Sequence, residues 1–370
     1  MRETGIIIYP YKYFAIEEVK LYINLAKKYN FKHVLATFFA VDEDEIPNPI
    51  YLEKIKAIGD YCRQQGLEFQ ADLFPTVFEA VGATIYDVQP LLDLGITEFR
   101  MDYGFDMKDL AIISKNKDVR KIILNATTAA EQPDKFDIEI QQYIEEGGIV
   151  EKLEASHNVN PHPHTGLSIK QMQNIREKLN EYHIPISAFV PASEYTYGIY
   201  DVWESCPSVE DHRYWAAYES AQELWAADVA DTLYVGDFLT SEKELKKLSE
   251  IRDSDYIQLR VRPSYDLTLA EQRILFSKPL KNRLAAYVLR FTEFRNTSIF
   301  PQNCVDVKQY DVTIDNQTIK RYNGEVRIAL TDQPKDPRVN VVGHLHPHDV
   351  RLLSYIKATD MIQFILDEKE

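Results

Sequence analysis

The sequence predicts a (β/α)8 (TIM) barrel, residues 1–252, followed by a small β-barrel domain, residues 253–370. Three observations predict it. Short apolar runs rich in β-branched and aromatic residues alternate with stretches of helical periodicity through the first two-thirds of the chain. Eight such runs can be counted, and eight βα units in roughly 250 residues is the usual size of a closed barrel. Beyond Asp253 the rhythm changes to short alternating runs separated by turn residues. The competing arrangement for alternating βα units is an open, doubly wound sheet. No Gly-x-Gly-x-x-Gly follows the first run, as a dinucleotide-binding open sheet would require.

The first unit is Gly5-Ile-Ile-Ile-Tyr-Pro10 with a helix that places Ile16, Val19, Ile23 and Ala26 on one face. The second is His33 to Phe39, with Leu52, Ile55, Ile58 and Cys62 on its helix. Further strands are expected at Glu68–Phe74, Ile96–Tyr103, Lys121–Thr127, Val150–His157, Ile184–Val190 and Asp231–Gly236. Ser168-x-x-Gln171 and Ser241-x-x-Glu244 read as capping boxes that open helices. In the C-terminal part, strands are expected within 256–263, 285–293, 305–314, 318–322, 325–330, 339–346 and 361–365. The polar stretch Ser249 to Asp255 carries the boundary.

Composition narrows the partners. With 42 Lys and Arg against 58 Asp and Glu, the net charge is -16, which disfavours nucleic acid and anionic membrane because both are themselves negative. The three cysteines, Cys62, Cys206 and Cys304, are far apart and form no Cys-x-x-Cys pair, so a reducing compartment fits. No signal-peptide core and no run near the ~18 apolar residues of a membrane span is present, and a cytoplasmic location is expected.

Catalytic groups of such barrels stand at the C-terminal ends of the strands. The sequence places Tyr9, Asp72, Arg100, Asp102, Tyr103, Asn125, His157, Asn158 and Asp237 there. Alternation puts Arg100 and Asp102 on one face. Charges facing a barrel interior must bind each other or a ligand, and both readings stand. The loop after the sixth strand, with Thr165-Gly166 leading into a helix, reads as an anion seat, or as a rigid surface loop in which Ser168 only caps. Glu210, in Pro207-Ser-Val-Glu-Asp-His212-Arg213, is a second leading carboxylate, unless it merely faces the dipole of a helix that Ser208 and Asp211 would cap. The clusters His157/His162/His164 and His344/His346/His348 lack carboxylate or Cys partners at ligand spacing, so no metal is expected, and no cofactor.

Several ordered blocks resemble the 6-phospho-N-acetylmuramidase family, a group long described only as outer-surface-like. They are Gly5–Pro10, Asp72, Leu94–Phe105, Leu124–Thr127, His157-Asn158, Thr165–Ser168, Pro207–Arg213, Tyr322–Val326 and Asn340–Gly343, and they span essentially the whole chain. The resemblance implies a barrel with a cyclophilin-like β-domain and a cytoplasmic role in cell-wall recycling. The implied substrate is a phosphorylated amino-sugar disaccharide, N-acetylmuramic acid 6-phosphate linked β-1,4 to N-acetylglucosamine. A homodimer is compatible with a family of this size. This chain departs from the family at Val159-Asn-Pro-His162, where an aromatic-Pro-Arg is usual, which bears on the phosphate contact.

Glycoside hydrolysis uses two carboxyl groups, about 5 Å apart for retention and about 6.5–9.5 Å for inversion. Asp102 and Glu210 are the expected pair, with Asp72 in reserve. Tyr9, Tyr103, Asn125, His157, Asn158, Thr165 and Gly166 are expected to bind sugar or phosphate, and Arg100, His212 or Arg213 to meet the phosphate or lactyl carboxylate. Two other classes fit the same barrel. A sugar-phosphate isomerase, epimerase or aldolase is one, although the Schiff-base version needs a lysine at a strand end and the chain offers only Lys152, early in the sixth strand. A non-catalytic carbohydrate-binding protein is the other, disfavoured by the many carboxylates at the mouth.

Overall fold

The structure is a computed structural model and describes residues 2–9, 15–38, 49–101, 103–194, 198–199 and 204–367. Asp102 therefore lies outside the described residues. The chain divides into two compact units, Met1–Asp253 and Ser254–Glu370.

In the first unit β1 (Glu3–Ile8), β2 (His33–Ala36), β3 (Glu68–Leu73), β4 (Glu98–Met101), β5 (Lys121–Asn125), β6 (Leu153–Ser156), β7 (Ile186–Val190) and β8 (Thr232–Val235) form a closed parallel barrel in chain order. Closure is made by β8 pairing with β1, Gly5 opposite Tyr234. Both faces of these strands are buried, which is why they read as apolar runs such as Ile6-Ile7-Ile8. The expected helical stripes face inward: Val19, Ile23 and Ala26 are buried on one helix, and Met172, Ile175 and Leu179 on another. Ser168 does open the helix Ile169–Asn180, its backbone N–H donating to Gln171 Oε1 at 2.9 Å while its Oγ accepts from the Gln171 N–H. Ser241 Oγ accepts the Glu244 N–H, but the Glu244 carboxylate turns away and accepts from Ser193 and Ala217 N–H groups.

Cross-strand partners share a face. The register Asp72↔Arg100, Arg100↔Ile123 and Ile123↔Glu154 therefore sets one side of four strands, the interior. At the N-terminal ends of the strands that interior is ionic. Lys121 Nζ lies 2.7 Å from Glu154 and 3.5 Å from Glu98, and the His33 ring nitrogens lie 3.1 Å from Glu98 and 3.1 Å from Glu3. Above them Tyr234 donates to Gln70 Oε1 at 2.6 Å. Buried charges are tolerable only when paired and hydrogen-bonded, and here each has a partner.

Burial opposes charge on His33, but the Glu98 charge and the hydrogen bonds to Glu3 and Glu98 together outweigh it, and the imidazole pKa is pushed up to about 9. Raised above its unfolded value, it contributes stability that is fully present below about pH 6.5 and is lost as pH rises through 9. Urea unfolding at pH 6 and pH 9.5 should show the native protein losing ~2–3 kcal/mol more than His33→Gln. Parallel losses in the two proteins would remove His33 from the pH dependence.

The second unit is a mixed eight-stranded sheet. Its strands are β9 (Tyr256–Pro263), β10 (Leu280–Lys281), β11 (Arg283–Leu284), β12 (Val288–Phe291), β13 (Asp311–Asp315), β14 (Val326–Ala329), β15 (Val339–Leu345) and β16 (Met361–Leu366), in the order β10-β16-β9-β15-β13-β14-β12-β11. Leu289, Phe291, Val312, Ile314, Val326 and Ile328 are buried on one face. Two sequence expectations need correction. Residues 318–322 are not a strand: Gln317–Tyr322 is a 3-10 turn, because the Asn316 side chain caps it by accepting the Thr318 N–H. A helix, Leu269–Phe276, was missed although Thr268 and Glu271 form a capping box ahead of it. Among the described residues no helix is long and apolar enough to cross a membrane.

Candidate active site

At the C-terminal ends of the barrel strands lies a cavity of about 260 Å³. Its wall combines an apolar part, Ile7, Leu35, Phe189 and Ile199, with Thr37, Asp72 and Arg100 and the backbone segment Asn158–Pro161. All the strand residues in this wall belong to the inward-facing set. The chemistry centres on Arg100, whose Nη1 donates to Asp72 Oδ1 at 2.6 Å and whose Nη2 donates to Asn158 Oδ1 at 2.5 Å. The side chains of Arg100 and Asp72 are only 8% and 4% exposed. A charge-assisted pair this buried holds both groups in one orientation, and the cavity gives it a way to meet a ligand.

The segment Asn158–Pro161 is fixed from beneath by residues that the sequence had offered as ligands. Arg213 uses all five of its N–H donors on the chain itself. Nε and Nη2 bind Glu210 at 2.8 and 2.6 Å, Nη1 binds the Asn160 and Ser205 carbonyls, and Nη2 also reaches the His162 carbonyl. Glu210 in turn accepts the His164 and Gly166 N–H groups at 2.9 and 2.8 Å. These hydrogen bonds, that of Arg213 first, outweigh burial and hold the Glu210 carboxyl down at about 2. The expected anion seat at Thr165-Gly166 is thus filled by the protein's own carboxylate. A side chain at position 166 would drive a Cβ to 2.6 Å from the Glu210 nitrogen.

Several expectations are corrected by this geometry. Glu210 is unsuited to donate a proton near neutral pH and does not line the cavity; with Arg213 it clamps the loop after β6. Ser208 does not cap a helix, since its Oγ accepts the Phe189 N–H and donates to the Asn158 carbonyl. Thr165 Oγ1 donates to the His162 carbonyl at 2.6 Å. His212 is 1% exposed, bonded to Glu223 at 2.8 Å and stacked on Trp215, so its ring is packed inside the protein rather than in the cavity wall. Tyr9 is fully buried and donates to the Gly236 carbonyl at 2.7 Å, joining the ends of β1 and β8. Asp237 joins the same rim, accepting from Ala192, Ser205 and Cys206, with its carboxyl pushed up to about 6 by burial.

His157 also leaves the list of ligands. It alternates with the inward Ser156 and Asn158, and its fully buried ring has no hydrogen-bond partner on either nitrogen. Burial pushes its pKa down to about 4, so it is neutral near pH 7. Asn125 caps the following helix by accepting the Thr127 N–H at 3.0 Å. Tyr103 is half exposed and stacks on Phe74 with centroids 5.4 Å apart, outside the residues that line the cavity. Of the expected site residues, the cavity brings together Asp72, Arg100 and Asn158. Thr37 and Phe189 were missed. The alternation His33, Leu35, Thr37 carried the signal for the first.

Glu210→Gln should destabilise the protein by ~1–3 kcal/mol, because buried Arg213 loses its counter-charge. It should raise KM for the substrate more than it lowers kcat, since the damage is to loop position. Steady-state kinetics with a thermal melt check this. A collapse of kcat with KM and Tm unchanged would return Glu210 to the chemistry.

Among the described residues no three His, Cys, Asp or Glu side chains are grouped to hold a metal ion. Lys152, the lysine an aldolase would need, binds the Ser114 and Asn116 carbonyls at the opposite, N-terminal end of β6.

The family model described as 6-phospho-N-acetylmuramidase, N-terminal, matches residues 4–250, and the corresponding C-terminal model matches residues 257–365. A solved structure titled as an uncharacterized B. cereus protein is 24% identical, with a TM-score of 0.84 over 98% of this chain and 99% of that one. A second, titled as a conserved protein of unknown function from Enterococcus faecalis, is 25% identical, with a TM-score of 0.76 over 99% of this chain and 96% of that one. No curated protein matches the chain. With both family models together covering nearly its whole length, the chain belongs to the 6-phospho-N-acetylmuramidase family of glycoside hydrolases.

Proposed function

We propose that this enzyme cleaves the β-1,4 bond between N-acetylmuramic acid 6-phosphate and N-acetylglucosamine, in cytoplasmic recycling of peptidoglycan. The observation that carries the reading is the buried Asp72–Arg100 pair, with half-buried Asn158 on its other side, open to a cavity at the C-terminal end of the barrel strands in a chain of this family. At about 260 Å³ the cavity is slightly smaller than the ~300–1,000 Å³ typical of ligand sites. It suits one sugar ring inside and the scissile oxygen near the rim.

Hydrolysis needs a carboxyl group to protonate the leaving oxygen and a carboxylate to meet positive charge at the anomeric carbon. Asp72, fixed by Arg100, suits the second role. Asp102, which the sequence puts directly after the last residue of β4, takes the first. Arg100 is the one cation in the cavity wall among the described residues, and it supplies the contact to phosphate or lactyl carboxylate that His212 and Arg213 cannot. Asn158 orients hydroxyl or acetamido groups.

The test is incubation with the phosphorylated and the unphosphorylated muramyl disaccharide, products read by mass. Cleavage of the phosphorylated form is expected, with the unphosphorylated form cut far more slowly. Cleavage of neither would defeat the proposal. Product anomers followed by NMR separate retention, with a protein or acetamido nucleophile, from inversion.

A further inference from the structure

The second unit carries a cluster that the barrel chemistry does not use. Register places Arg283 opposite Arg290, and Arg290 opposite Arg327, so three arginines stand side by side on β11, β12 and β14. Like charges directly opposite each other on neighbouring strands repel, and nothing in sheet formation calls for them. They stand on the face opposite the buried Leu289 and Phe291. A fourth, Arg295, joins them from the loop after β12.

Two wholly buried carboxylates sit within this group. Glu325 accepts from Arg290 Nε at 2.9 Å and Arg295 Nε at 2.7 Å, and also from Arg327. Asp315 is paired with Arg327 through one oxygen, while its other oxygen is buried without a partner. Two carboxylates need two cations, yet four are assembled. The excess is visible donor by donor. The Nη1 groups of Arg290, Arg295 and Arg327 donate to no protein group among the described residues, and Arg283 makes no hydrogen bond or ion pair there. The side chains of Arg290, Arg295 and Arg327 are 31%, 24% and 23% exposed, so none of the three is sealed off from solvent. Each of these three forks therefore keeps one edge that no protein group among the described residues uses.

The surroundings are built to hold them. Gly324 has a φ of +85°, and a Cβ there would lie 2.2 Å from the Phe294 carbonyl oxygen. That close turn brings Tyr322 over Arg295, with the guanidinium 4.5 Å from the ring centroid. Stacking on an aromatic ring and ion pairs on the inner edges fix the guanidinium planes before any ligand arrives.

We propose that this cluster, built wholly from residues of the second unit, is an anion-binding site for a phosphate monoester. Arginine forks match phosphoryl oxygens two at a time, and three of them suit a dianion with three equivalent oxygens better than a planar carboxylate with two. Glu325 and Asp315 set the inner edges, and the ligand takes the outer ones. The site is a binding site only. It calls for no bond to form or break.

The test uses the full-length protein at constant ionic strength, titrated calorimetrically with inorganic phosphate and with glucose 6-phosphate, and with sodium acetate as the carboxylate control. Arg100→Gln serves as the background, so that barrel binding does not contribute. Saturable binding of both phosphates and none of acetate is expected. Arg283→Gln with Arg290→Lys should weaken phosphate binding about tenfold or more, while leaving hydrolysis by the otherwise native enzyme unchanged. Because Arg290→Lys keeps its charge over Glu325, the melting temperature should hold, and a second variant, Arg295→Lys, should weaken binding alone in the same way. No saturable phosphate binding, equal binding of acetate, or binding indifferent to all three substitutions would overturn the proposal. Loss of hydrolysis with phosphate binding intact would overturn it too, by placing these arginines in the service of the barrel.

Discussion

Replacing Asp72 by Asn, or Asp102 by Asn, should each lower kcat on the phosphorylated disaccharide by ~10³-fold or more, with the barrel still folded. The expectation for Asp72 follows from its position. It is the carboxylate in the cavity wall among the described residues, and Arg100 holds one of its oxygens at 2.6 Å. Asn keeps the shape and a carbonyl acceptor for Arg100 but removes the charge that would meet an oxocarbenium-like transition state. The loss should therefore fall on kcat, with circular dichroism and Tm close to those of the native protein. For Asp102 the loss should shrink with substrates whose leaving group needs no proton, such as an aryl glycoside, because a general acid matters least there. Asp72→Asn should show no such relief. If both variants keep near-native turnover, the carboxylate mechanism fails while the binding site stands.

The largest effect on stability is expected at the other end of the barrel. Lys121→Met removes the cation between Glu154 and Glu98, whose side chains are 5% and 1% exposed. Breaking a buried pair from one side typically costs ~3–5 kcal/mol, because the remaining charge keeps its desolvation penalty without its compensation. Burial already raises the Glu154 carboxyl despite Lys121, so the variant should respond by taking up a proton. Two consequences separate this from loss of packing. Lys121→Met should regain much of its deficit as pH falls toward 5, and Lys121→Met with Glu154→Gln should be more stable than the single variant. Denaturant unfolding of the two proteins at pH 5 and pH 7.5 decides it; an additive pair with no pH response would mean that the cost is packing alone.

The barrel was legible in the chain because its two periodicities are strong. Ile6-Ile7-Ile8 cannot be anything but buried on both faces, and Met172, Ile175 and Leu179 can only face one way from a helix. Arg100 and Asp72 were legible as well, since a charge at the end of a barrel strand must find a partner. The loops were less so. In sequence Pro207–Arg213 reads either as a display of catalytic groups or as the start of a helix; in the fold Arg213 and Glu210 bind each other and the backbone of Asn160, His162, His164 and Gly166. No local pattern tells a carboxylate that binds substrate from one that binds a neighbouring loop forty-odd residues away.

Legible from spacing along the chain were the barrel's alternation of strands and helices, the shared face of residues two apart on a strand, and the family. These depend on spacing along the chain, where side chains three or two positions apart are bound to share a face. Which of the inward residues line one cavity follows from the folded arrangement alone. It placed Asp72, Arg100 and Asn158 around one cavity, turned His157 into the packing and closed Glu210 on Arg213. It also gathered four arginines from three strands and a loop around two buried carboxylates. The physical reason is the same in each case. Charge interactions and hydrogen bonds act through space over a few ångströms, and which groups come that close is set by barrel closure and sheet register rather than by distance along the chain.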